Sequence, residues 1–118
     1  MPASRFRELT AYKRAREVGD EVRELVLGWE SFDRWSVGIQ LVRAADSVAA
    51  NIAEAYGRST LRDQQRLLLI ARGSLFETEH WLETASARGL VGGRNLEPAL
   101  DEATRTLNGL IRSLDRKT

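Results

Sequence analysis

Residues 35–58 read WSVGIQLVRAADSVAANIAEAYGR, a helix-length stretch that is short of charge and rich in alanine. One polar seam runs through it: Gln40, Ser47, Asn51, Glu54 and Arg58, separated by seven, four, three and four residues. At about 100° per residue these side chains fall on one line of a helix. Leu41, Ala45, Val48, Ile52 and Tyr56 form a broad apolar face beside the seam, and Ala44, Ala50 and Ala53 keep the flanks small. A surface helix carries a charged outer face, so this pattern predicts a helix enclosed on most sides. Its polar line must then find partners on other helices or other subunits. Such a stretch speaks of architecture before chemistry.

Working outward, the pattern repeats in three further segments. A first helix is expected from about Phe6 to Leu27, with Tyr12, Ala15, Gly19, Val22, Val26 and Trp29 inward and Lys13, Arg16, Glu17, Asp20, Glu21 and Glu24 outward. Gly28 to Asp33 reads as a joint, and the second helix ends at Gly57. Thr60 to Asp63 resembles a capping box with Asp in place of Glu, opening a third helix that runs to about Arg88 and stops at Gly89. Asn95 is the expected N-cap of a fourth helix, with Pro98 tolerated in its first turn. Leu96, Leu100, Ala103, Leu107, Leu110 and Leu114 give that helix a packing seam spaced by four and three. Prolines occur only at Pro2 and Pro98, both near expected element starts. Short joints make neighbours antiparallel, so the fold class is all-α, an up-down-up-down four-helix bundle in a single domain over 1–118.

The third helix has one apolar face too many. Leu68, Ala71, Leu75, Leu82 and Ala85 make an ordinary core stripe, while Leu69, Phe76 and His80, with Gly73 between them, lie on a second line. A monomeric bundle would leave that line in water, so the pattern predicts self-association.

A chain of 118 residues with 42% hydrophobic and 30% charged residues suits one soluble globular domain. There are no cysteines, which removes disulfides and thiolate metal sites. The N-terminal stretch lacks an apolar signal core and no apolar run is long enough to cross a bilayer, so a cytoplasmic protein without membrane contact is expected. A net charge of +1 does not by itself point to nucleic acid. Almost all the basic residues are arginine, the side chain suited to bidentate contact with carboxylates or phosphates.

The residues also resemble a known family, the bacterial four helix bundle proteins, also called ribosomal RNA intervening-sequence proteins. The resemblance is carried by Phe6-Arg-Glu-Leu9, Gln40 to Ala45, Ser47 to Glu54, Gly57-Arg58, Ile70 to Leu75, Glu77 and Glu79. The accessory variability proteins of diversity-generating retroelements look like a branch of the same fold. Val42-Arg43 stands where the family commonly has an arginine pair, Ala49 near a usual proline, and Ala55 at a usual glycine; the first joint lacks its usual proline. The resemblance implies a bundle protomer that assembles into a barrel-like homopentamer in a nucleic-acid-linked setting, without catalytic residues. For the retroelement branch it implies a reverse transcriptase and its template RNA as partners.

Two arginine groups are candidate nucleic-acid contacts. Arg105, Arg112 and Arg116 line the fourth helix opposite its leucine seam, where Asp101, Glu102 and Asp115 dilute them. Arg58, Arg62 and Arg66 crowd the second joint with only Asp63 opposing them. Gln40, Ser47, Asn51, Glu54, Leu69, Gly73, Phe76 and His80 are the candidate oligomer interface. Glu77-x-x-His80 has the spacing of a di-iron ligand pair, but His80 is the only histidine, so one chain cannot complete that set or a histidine-based triad. No cofactor, metal or small-molecule substrate is expected. The expected function is a non-enzymatic oligomeric adaptor for structured RNA or a nucleoprotein. The alternative is a structural assembly protein that acts through protein partners alone.

Overall fold

The computed structural model describes residues 3–117; Pro2, expected near an element start, lies outside them. A 3-10 turn, Ala3–Glu8, leads into α1, Thr10–Leu27. α2 is Ile39–Tyr56, α3 is Leu61–Ala87 and α4 is Glu97–Asp115. Helix therefore starts later than Phe6, because Leu9 takes an extended backbone between the 3-10 turn and α1.

The first joint is shorter than the sequence suggests. Helix resumes at Ser31 in a short turn, Ser31–Asp33, and continues through a π-helical turn, Arg34–Gly38, into α2. Three side chains fix this corner. The Arg34 guanidinium donates to the Trp29 carbonyl at 3.0 Å, Ser36 Oγ donates to the Phe32 carbonyl at 2.7 Å, and Trp29 Nε1 donates across to the Leu90 carbonyl at 2.9 Å. Gly38 is needed because a Cβ there would lie 2.8 Å from Val26 Cγ1 and 3.1 Å from the Asp33 carbonyl.

At the other joints the turn chemistry works largely as read. Thr60 Oγ1 accepts from the Asp63 amide at 3.1 Å, while the Asp63 carboxylate faces Arg66 at 3.5 Å instead of closing a box. α3 ends in a Schellman turn. Gly89 has φ +74°, its amide reaches the Ser86 carbonyl, and the Leu90 amide reaches that of Ala85. Leu96, not Asn95, occupies the N-cap position of α4; Asn95 Oδ1 still accepts the Glu97 amide at 3.1 Å from one residue further out.

Cross-helix pairs settle the topology. Ser47 meets Ser74, and Gln64 reaches the Arg58 carbonyl, so α2 and α3 run antiparallel. Arg72 with Asn108 and Gln65 with Asp115 make α3 and α4 antiparallel. Gly19 beside Asp46 and Gly38 beside Val26 do the same for α1 and α2. The result is an up-down-up-down bundle measuring 45 × 21 × 20 Å over its Cα atoms. Leu41, Ile52, Leu68, Leu75 and Leu107 are its largest fully buried aliphatic side chains. Burying each fully is worth roughly 1.5–3 kcal/mol. Ile111 and Leu67 join the core although neither belongs to the stripes read from the sequence.

α2 packs on α1 and α3 and leaves its remaining side open. Gln40, Arg43, Ala50 and Glu54 are exposed there, so the enclosure expected for this helix is not provided by its own chain. Each helix of the bundle has two neighbours, and the flank of α2 that faces outward carries Arg43 and Glu54 beside Ala50.

Candidate functional site

The alternation of helix direction sorts the charges by height. The first joint, the third joint and the adjoining helix turns make one end of the rod. The second joint, the start of α1 and the end of α4 make the other. In residues 5–14, 54–66 and 112–117, at the second-joint end, ten arginines and lysines stand against four carboxylates. In residues 21–34 and 79–101, at the opposite end, eight carboxylates stand against four arginines. A nearly neutral chain thus folds into a molecule with a basic end and an acidic end.

Arg58, Arg62, Arg66, Arg112 and Arg116 are all exposed and belong to the basic end. Arg105 does not join them. It sits midway along α4, paired with Glu102. Arg58 is hydrogen-bonded to Glu54, which raises the guanidinium's pKa above its ordinary value, and Arg66 faces Asp63. Arg62 has no ion pair among the described residues. Arg62 in the first turn of α3 opposes the helix macrodipole, and Asp63 in the same turn offsets it. The sequence pattern gives no sign that Arg5, Arg7, Lys13 and Lys117 belong here; they reach the same end only through the fold.

The second surface is the outer side of α2 and α3. Leu69 is 47% exposed, Ile70 43% and Phe76 62%; Gly73 and His80 are exposed beside them. The polar seam lies on the flank of α2 that meets α3 at Ser74, well around α3 from Leu69 and Phe76. Ser47 and Ser74 hydroxyls meet at 2.9 Å, and the Asn51 amide donates to the Ser47 carbonyl at 2.8 Å and to Ser47 Oγ at 2.9 Å. Glu54 is tied to Arg58, whereas Gln40 is exposed, with no side-chain hydrogen bond among the described residues. Among the described residues the Ser47 hydroxyl and the Arg58 carbonyl join the seam to α3 by hydrogen bonds, whereas the Asn51 and Glu54 side chains bond within their own segment. Ser74 is not predicted by spacing as a partner of the seam, and its place there follows from the register of α2 on α3.

A family model described as 23S rRNA-intervening sequence protein matches residues 7–112. The chain belongs to that family. A search of curated proteins finds no match. In this intervening-sequence protein the matched span contains all four helices except the last residues of α4.

Glu77 and His80, the pair with metal-ligand spacing, have other contacts. Trp81 Nε1 donates to Glu77 Oε2 at 3.3 Å, and the His80 ring meets Trp81 edge-on with centroids 4.8 Å apart. Among the described residues no three His, Cys, Asp or Glu side chains are grouped to hold a metal ion, and no helix is long and apolar enough to cross a membrane. Where α1 packs on α2, Asp46 lies against Gly19, and burial together with nearby Asp20 raises its pKa, with Arg16 opposing.

Proposed function

We propose that this protein is a non-enzymatic homo-oligomer that binds structured RNA through its basic end. The observation that carries the reading is the segregation of charge, ten basic side chains against four acidic ones at one end of a molecule whose net charge is only +1. Phosphate contacts respond to local cation density, so the balance of the whole chain matters little. The family description links these proteins to ribosomal RNA, which agrees with such a ligand. The exposed Leu69, Ile70 and Phe76 face is the proposed subunit contact, with the seam from Gln40 to Glu54 setting register; the family resemblance favours five subunits. A ring would repeat the basic end around its axis, and weak contacts would then add through multivalency.

The test is binding of a structured RNA across a salt series. Affinity should fall steeply with salt, and Arg62→Glu with Arg66→Glu should weaken it and flatten the slope by about one for each phosphate no longer neutralised. Particle mass by light scattering should not change. Phe76→Glu should instead split the particle while circular dichroism keeps its helical signal. RNA binding that is absent at low salt, or indifferent to reversal of Arg62 and Arg66 and of Arg105 and Arg112, refutes the RNA reading.

One observation favours the purely structural alternative. Arg58, Arg66 and Arg105 each already face a carboxylate of their own helical segment. Under that reading the basic end serves protein contacts, and the same RNA titration is silent.

A further inference from the structure

The acidic end has its own relief. A cleft of about 430 Å³ opens between the end of α3 and the start of α4, beneath the third joint. Glu79, Glu83, Glu97 and Asp101 rim it, Leu82 and Leu100 floor it, and Arg94 is the single cation. None of the four carboxylates forms an ion pair among the described residues. Unpaired carboxylates around a partly apolar recess suit a cationic side chain with an apolar stem, and arginine is both.

The chain itself supplies that chemistry at its opposite end. We propose that copies of this protein associate end to end, the basic end of one against the acidic end of the next, with Arg62 and Arg66 of one copy directed to the Glu83 and Asp101 rim of another. Charge complementarity selects this occupant over the exposed Phe32 and Trp35 of a second copy. Those aromatics sit at the acidic end, beside Glu30 and Asp33, and would bring carboxylate against carboxylate.

The contact is heterologous and, aligned along the rod axis, propagates. A cross-section of 21 × 20 Å offers about 400 Å² per end, roughly half of what a stable interface buries on each partner. Single protomers therefore join weakly. Rings with all basic ends on one face would stack firmly, and that gain in strength rests on the lateral assembly proposed above; the direction of the contact does not. The surfaces differ in kind, one apolar and sideways, the other electrostatic and axial. RNA on the basic end competes with the axial contact.

Sedimentation velocity separates the two assemblies. In about 1 M salt, where screening acts over about 3 Å, only the lateral unit should persist; in about 0.01 M salt, where it acts over about 30 Å, multiples of that unit should appear. Glu83→Lys with Asp101→Lys should abolish the multiples at low salt and keep the high-salt unit, as should Arg62→Glu with Arg66→Glu. Mixing the two charge-reversed proteins should restore association, because each reversed contact patch of one then meets a patch of opposite sign on the other. A high-salt oligomer that does not grow at low salt, or growth that survives both reversals, overturns the axial contact and leaves the lateral one standing. A high-salt monomer that grows at low salt and loses that growth on reversal supports the axial contact and overturns the lateral one. A monomer at both salts overturns both.

Discussion

Gly73 is an exposed glycine in the interior of the longest helix, and a Cβ built on it meets nothing within 4 Å. Within one protomer nothing requires glycine there, and the residue costs roughly 1 kcal/mol of helix stability relative to alanine. Gly73→Ala should therefore stabilise an isolated protomer by about that amount, a rise of about 4 °C in Tm for a domain of this size. The clean setting is the Phe76→Glu background, where the chain is expected to be monomeric. In the assembled protein the same methyl enters the Leu69–Phe76 face. If a second subunit packs there, overfilling costs roughly 1–3 kcal/mol at each interface. That weakens each interface by a factor of about 5 to 150. The expected signature is a stabler chain in a weaker particle, read by urea melts of the monomeric background and by dilution series in light scattering. If Gly73→Ala stabilises the chain and leaves dissociation unchanged, the face is not a subunit contact. If it destabilises the monomeric background, the open space around Gly73 is itself wrong.

Gly38→Ala should act in the opposite sense, losing about 1–2 kcal/mol in urea melts, because the close Val26 Cγ1 and Asp33 carbonyl contacts outweigh the propensity gain; equal or higher stability would refute the tight corner. Trp29→Phe should cost about 1–2 kcal/mol by leaving the Leu90 carbonyl without its donor, and an unchanged midpoint would show that water replaces the indole. Asp46 has a raised pKa in the fold, so its contribution is least favourable above that pKa, improves as pH falls through it, and is complete below the unfolded value of 3.8. Asp46→Asn should accordingly raise the denaturation midpoint at pH 7 and leave it unchanged near pH 3; a difference that grows on acidification would reverse the assignment.

Much of the fold is legible in the sequence because it is written in local spacing. The inward residues of α1 and the leucine seam of α4 follow from period alone, and Thr60 and Gly89 punctuate α3 through hydrogen bonds made within a few residues. The first joint is not legible in this way, because its helical path depends on Trp29 reaching the Leu90 carbonyl and on Gly38 lying against Val26, which are tertiary contacts. α2 reads as enclosed because alanine-rich, weakly charged sequence looks the same whether its own chain or another covers it. The exposure of Leu69, Gly73 and Phe76 is readable, since a second apolar line cannot share the core stripe. The basic end is not. Arg5, Lys13, Arg62 and Arg116 are far apart in sequence, and only the alternation of helix direction gathers them, so composition indicates near neutrality where the molecule is strongly bipolar.

The three tryptophans occupy three different settings: Trp29 is 7% exposed, Trp81 is half-buried with its indole tied to Glu77, and Trp35 is 68% exposed at the acidic end. The chain consequently carries its own optical reporters without any label. Red-edge emission and acrylamide quenching should be dominated by Trp35, while the blue-shifted, quencher-resistant component belongs to Trp29. A molecule that settles over the acidic end would shift Trp35 to shorter wavelength and leave Trp29 unmoved, whereas loosening of the corner would redden Trp29 as well. Docking and unfolding thus leave separable colours in one emission spectrum, and Trp35→Phe removes the first while sparing the second.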